Sequence, residues 1–201
     1  MVRESDDRLR RATSVLLLAP DVRDRATTVT ASLLERESRD FDHVVGVTVT
    51  ESASSWVRAW RRHADASTRV SCVDVDGRTR AVAGDGGEPV VPSVESVEGP
   101  TDLERLGRTV SDVLERSTED GQRIGLAVHS VSDLLHHVDE STAFKFVYTL
   151  GEVVRRVDGA VYFHVDPRSH DASTADIFAA ACDAVVHVDD GDVTVTVPND
   201  W

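Results

Sequence analysis

Short, almost wholly apolar runs recur along this chain, and between them lie longer stretches whose apolar residues fall at helical spacing. That alternation admits few folds. Residues 14–19 (SVLLLA) and 124–128 (IGLAV) are continuous apolar runs, the first bounded by Pro20, and 44–50 (VVGVTVT), 69–75 (RVSCVDV), 160–165 (AVYFHV) and 184–188 (AVVHV) are rich in β-branched residues. All six read as strands, 14–19 as one buried on both faces. The intervening stretches carry Val29, Leu33 and Leu34; Trp56, Val57 and Trp60; Leu103, Leu106, Val110 and Leu114; Leu134 and Leu135; and Phe144, Val147, Leu150, Val154 and Val157. A small alanine-rich helix is expected over 174–182. Ser52, and Thr101 with Glu104 at capping-box spacing, supply start signals for two of the helices. Strands alternating with helices predict a mostly parallel sheet covered on both faces. Residues 193–197 follow Asp189-Asp190-Gly191, a turn that predicts a C-terminal antiparallel hairpin.

At 201 residues the chain is read as one domain spanning 1–201, with 1–12 flexible. Residues 77–100 carry five glycines and three prolines with no sustained period, and are expected to be an irregular, mobile insertion. Trp56 and Trp60 share a helical face and are expected to pack in the core. Arg155, Arg156 and Lys145 are expected on a solvated helix face. Cys72 and Cys182 are isolated, without CxxC spacing, and are expected to be buried free thiols.

Acidic residues outnumber Lys and Arg by 36 to 22, for a formal net charge of −14, and Lys145 is the single lysine. Such a surface stays hydrated in concentrated salt, where screening removes most of the self-repulsion. The expectation is a halophile's protein. The same balance argues against a nucleic-acid surface, which needs clustered positive charge. No run approaches the roughly 18 apolar residues of a membrane span, and the charged start of the chain lacks the pattern of a signal peptide. A cytoplasmic location is therefore expected.

VLLLAP at the first strand, VGVTVTES at the second, RIGLAVHSVSDLL at the fourth and AVYFHVDPRSHD with DAVVHV near the end occur in an order that resembles the RecA/KaiC-like P-loop ATPases, specifically a haloarchaeal lineage. The resemblance covers almost the whole chain and implies a RecA-like three-layer α/β/α domain. It also locates an ATP site that can be tested residue by residue. A P-loop needs glycines that let backbone N–H groups close around phosphate, a lysine for charge and a hydroxyl for Mg²⁺. The matching segment here is Ala19-Pro20-Asp21-Val22-Arg23-Asp24-Arg25-Ala26, without glycine, lysine or hydroxyl. Shifting the match recovers Thr27 or Thr28 as the hydroxyl, while Arg23 and Arg25 are poor spatial substitutes for the compact lysine ammonium. Asp21 and Asp24 would oppose phosphate. His129 stands where the family carries the Walker B aspartate, and an imidazole does not hold the Mg²⁺ water shell. Glu51 matches the acidic position that activates water in KaiC-like ATPases, and is read as a relic.

The resemblance thus implies a non-catalytic regulatory or interaction domain with a protein partner or self-association. ATP hydrolysis and a bound cofactor are not expected. Two alternatives stand beside it: a nucleotide switch using Arg23, Arg25, Glu51 and His129, with ATP and Mg²⁺, and a metal site built from His129, His164, Asp166 and His170 at strand ends. A Ser130/His164/Asp166 triad is conceivable on paper, but no G-x-S-x-G elbow accompanies it.

Overall fold

The computed structural model describes residues 9–20, 30, 41–62, 67–75, 94–189 and 192–196. Eight strands form one sheet: β1 (Ser14–Leu18), β2 (His43–Thr48), β3 (Arg69–Val75), β4 (Val94–Val97), β5 (Ile124–His129), β6 (Ala160–Val165), β7 (Ala184–Asp189) and β8 (Asp192–Thr196). Their spatial order is β4-β3-β2-β5-β6-β1-β7-β8. Every neighbouring pair is parallel except β7 and β8, which form the antiparallel hairpin.

Five helices are described end to end: α1 (Ala53–Arg61), α2 (Leu103–Glu119), α3 (Val131–Leu135), α4 (Glu140–Arg156) and α5 (Ala172–Ala179). Their starts follow local chemistry. Ser52 Oγ accepts the Ser55 N–H at 3.3 Å, Ser130 Oγ the Asp133 N–H at 3.1 Å, and an Asp139 carboxylate oxygen the Thr142 N–H at 2.9 Å. For α2 the cap is Asp102, which accepts from Arg105 N at 3.0 Å, and not the expected Thr101. A carboxylate one residue nearer the first turn meets the free N–H groups with a full charge. Gly121, at φ +72°, ends α2 in the left-handed conformation that glycine adopts without penalty.

The alternation of side chains along the strands sorts the apolar residues into two cores. Leu16, Val45, Val47, Leu126, Val161 and Phe163 face α2, α4 and Phe178 of α5, whereas Leu17, Val44, Val70, Cys72, Ala127 and Tyr162 face Trp56, Val57 and Trp60 of α1. The result is the expected three-layer α/β/α architecture. Both tryptophans are core residues, stacked with ring centroids 5.5 Å apart. Trp56 lies directly on β2 at Gly46, where a Cβ would stand 2.5 Å from the indole. Cys72 and Cys182 are buried free thiols, and burial pushes the Cys72 thiol up to about 12.

Three expectations need correction. Within 77–100, residues 94–97 form edge strand β4, paired in parallel with β3 from Cys72 to Val75. The end of the stretch read as flexible is packed: Leu9 and Ala12 are each only 4% exposed and join the α1-side core. Arg155 is not merely solvated, because its guanidinium reaches both carboxylate oxygens of Asp183, at 3.1 and 3.2 Å. That carboxylate also accepts the N–H groups of Thr13 and Ser14, each at 2.9 Å, and the Ser14 hydroxyl at 3.0 Å. Burial would raise the Asp183 carboxyl, but these bonds outweigh it and hold it below the usual range. The expected helix over 27–36 lies outside the described residues, apart from Thr30, which is helical and buried.

Candidate functional site at the carboxyl ends of the strands

In an open parallel sheet the carboxyl ends of the strands are where ligands bind. Here those ends carry a level row of side chains on the α1 face. Register sets Asp74 of β3 beside Thr48 of β2, and Thr48 beside His129 of β5. The β5–β6 pairing, with Val128 opposite Phe163, brings His129 level with His164, which in turn lies beside Leu17 of β1. Asp74, Thr48, His129 and His164 are all buried. Four polar side chains in adjacent strands, at the same height and out of water, require mutual satisfaction.

The two histidines meet ring on ring, with centroids 4.8 Å apart and planes 28° from parallel. His164 Nε2–H donates to the Ala19 carbonyl at 2.8 Å, so the strand β1 exit is tied to β6. His129 Nε2 stands 3.4 Å from Glu51 Oε2, and both side chains are largely covered. A carboxylate beside an imidazole ordinarily favours the imidazolium, but burial disfavours the charged ring, and proximity to His164 adds to that. The His129 value is pushed down to about 3. His129 is thus an uncharged ring at neutral pH. The peptide bond joining His129 to Ser130 is cis.

The loops around this row are fixed by further polar contacts. Thr50 Oγ1–H donates to Asp133 of α3 at 2.6 Å, and Val49 N–H to the His129 carbonyl at 3.1 Å. The Asp166 N–H donates to Ser132 Oγ at 2.9 Å, while the Asp166 carboxylate accepts the Arg168 N–H at 2.9 Å and so shapes the turn after β6. Thr48 Oγ1 lies 3.6 Å from Cys72 Sγ.

Of the residues singled out in the sequence, the structure gathers Glu51, His129 and His164. Asp166 turns into its own loop, and the His170 ring lies 6.4 Å from that of His136. Among the described residues no three His, Cys, Asp or Glu side chains group as a metal site. The paper triad does not assemble: Ser130 caps α3, His164 donates to Ala19, and Asp166 receives Arg168. Arg23, Asp24, Arg25, Thr27 and Thr28 lie outside the described residues.

One buried polar cluster escaped the sequence reading. His43, the first residue of β2, is 1% exposed at the opposite, amino-terminal end of the sheet. Its Nδ1 is 2.6 Å from Ser117 Oγ and its Nε2 2.6 Å from Ser71 Oγ. Ser117 spends its own hydroxyl hydrogen on the Val113 carbonyl, so Nδ1 carries the ring proton and Nε2 accepts from Ser71. Burial, with the nearby Arg69 charge, lowers His43 to about 4.

A profile for a family of unknown function, DUF7504, matches residues 12–188. The chain belongs to the DUF7504 family. Among curated proteins nothing matches it. Solved structures of similar fold include three from Pyrococcus horikoshii. The uncharacterized protein PH0321, in complex with an unknown peptide, has TM-score 0.63 and 14% identity over 93% of this chain and 84% of its own. The KaiC-like protein PH0186 has TM-score 0.57 and 14% identity over 92% and 78%. PH0250 has TM-score 0.56 and 11% identity over 92% and 85%. This DUF7504 member has the RecA/KaiC-like fold, with an eight-stranded, mostly parallel sheet ending in an antiparallel hairpin. No described helix is long and apolar enough to cross a membrane.

Proposed function

We propose that this DUF7504 protein is a non-catalytic RecA/KaiC-like domain that works through protein contacts in a halophilic cell, its nucleotide site replaced by packing. The observation that carries the reading is the His129–His164 stack. It occupies the strand ends where a KaiC-like ATPase would place an acidic residue facing the Mg²⁺ water shell, and its ring at 129 is neutral because burial outweighs the adjacent carboxylate. A buried neutral imidazole neither attracts a hydrated divalent cation nor offsets phosphate charge. The segment after β1, without glycine or lysine, points the same way. The PH0321 structure, with its unknown peptide, shows that a protein of this fold carries a peptide ligand, and so supports an interaction role here.

The deciding experiment is equilibrium titration of a fluorescent ATP analogue with Mg²⁺ in molar KCl. The expected result is no saturable binding up to millimolar nucleotide. Micromolar saturation would overturn the reading and make Glu51 and the 19–28 segment the centre of a nucleotide switch.

A further inference from the structure

The two edges of the sheet are built differently. Among the described residues one edge is β4, four residues long, whose Glu95 is held by Arg116 of α2. Short length and a pinned charge are the usual devices that keep an edge from pairing with another chain. The other edge, among the described residues, is β8, Asp192–Thr196, with the sequence DVTVT. It has no proline, no lysine and no interior charge, and its Val193 is 43% exposed.

The hairpin register fixes what β8 shows to the outside. Asp189 pairs with Asp192 across two intervening residues, and a pair closing so short a connection exchanges both backbone bonds. The bonded set is therefore Asp192, Thr194 and Thr196. Val193 and Val195 lie opposite Val188 and Val186 in the non-bonded positions, so their own N–H and C=O groups point away from β7. They form a row of donors and acceptors at the sheet's end.

We infer that β8 is a self-association edge, pairing antiparallel with β8 of a second copy about a twofold axis through Thr194. In that register Val193 of each copy lies opposite Val195 of the other and exchanges both backbone bonds with it. Asp192 falls opposite Thr196, so no like charges meet even though the chain is strongly acidic. The two valines are on the α1 face, where Val195 already packs against the core, so the pairing extends an apolar surface. Thr194 meets Thr194 of the partner on the other face. An isologous contact is the simplest closed solution for one strand that complements itself.

The inference deepens the interaction-domain reading by naming a second copy as the partner. Its failure is separate from failure of that reading, which the nucleotide titration tests. The experiment is light scattering and sedimentation equilibrium of the full chain in molar KCl, up to about 500 μM, a range suited to a seam only one strand long. The expected mass at the upper concentrations is twice the 21.9 kDa of the chain. Val195→Pro removes an outward N–H without touching the β7 ladder and is expected to give the single-chain mass with an unchanged circular dichroism spectrum. Should that variant misfold, Val193→Lys places a charge on the seam and is expected to do the same. A wild-type monomer throughout the range would overturn the inference. So would a dimer that survives in a folded Val195→Pro or Val193→Lys chain.

Discussion

A buried histidine stands at each end of strand β2, His43 in the strand itself and His129 beside it on β5, and the two have solved burial in opposite ways. At the amino end His43 has a hydroxyl on each ring nitrogen, both at 2.6 Å. At the carboxyl end, beside Thr48, His129 has a second imidazole against its face and a carboxylate at 3.4 Å. Both rings are pushed well below the ordinary histidine value, to about 4 and about 3, chiefly by burial. The lesson is that a lowered value alone does not mark a functional position. His43 is locked by specific hydrogen bonds between β2, β3 and α2, as a structural polar residue should be. His129 is held by stacking and proximity, in the place where this fold binds ligands.

The contrast can be tested first by pH, where the effect is largest. Both rings take up a proton more readily in the unfolded chain, whose histidines titrate near 6.5, than in the fold. Their contribution is therefore complete above about pH 6.5 and is lost as pH falls toward the folded values. Between pH 7 and pH 5 each ring should remove about 2 kcal/mol, or about 4 kcal/mol together, measured by denaturant unfolding in molar KCl. A flat profile over that interval would break the comparison at its root. Next in size, His43→Leu strands the Ser71 hydroxyl and should cost about 2–3 kcal/mol at pH 7, while removing roughly half of the pH dependence that the two rings share. Smallest is His129→Leu. An apolar side chain replaces a poorly bonded buried ring, so unfolding at pH 7 should shift by less than about 1 kcal/mol, with the other half of the two rings' pH dependence gone. If His129→Leu costs as much as His43→Leu, the carboxyl-end pair is a structural lock of the same kind as the amino-end one.

Much of the fold was legible because the strands that build it are buried on both faces, and SVLLL or AVYFHV can be little else. The strand β4 was not: Val94-Glu95-Ser96-Val97 has no apolar run, and it is a strand because it pairs with β3 and because Arg116 holds Glu95. At the site, Glu51, His129 and His164 were visible as polar residues ending apolar runs. Their convergence was a matter of strand order, which puts β2, β5 and β6 side by side. His43 offered no local signal, since its partners are 28 and 74 residues away. Asp183 was silent for the same reason, with its contacts to Thr13 and Ser14 spanning almost the whole chain.

That last contact bears on how the molecule comes into being. Strand β1 precedes the other seven described strands in the chain, yet its neighbours in the sheet are β6 and β7, and its amino end is fastened by Asp183, 170 residues after Thr13. At typical synthesis rates of about 5–20 residues per second, one of the most apolar segments of the chain waits roughly ten seconds or more before its place in the sheet exists. Strands β2, β3 and β5 are adjacent and are all made before β6 and β7, so the housing of SVLLL in the sheet is a late event of synthesis.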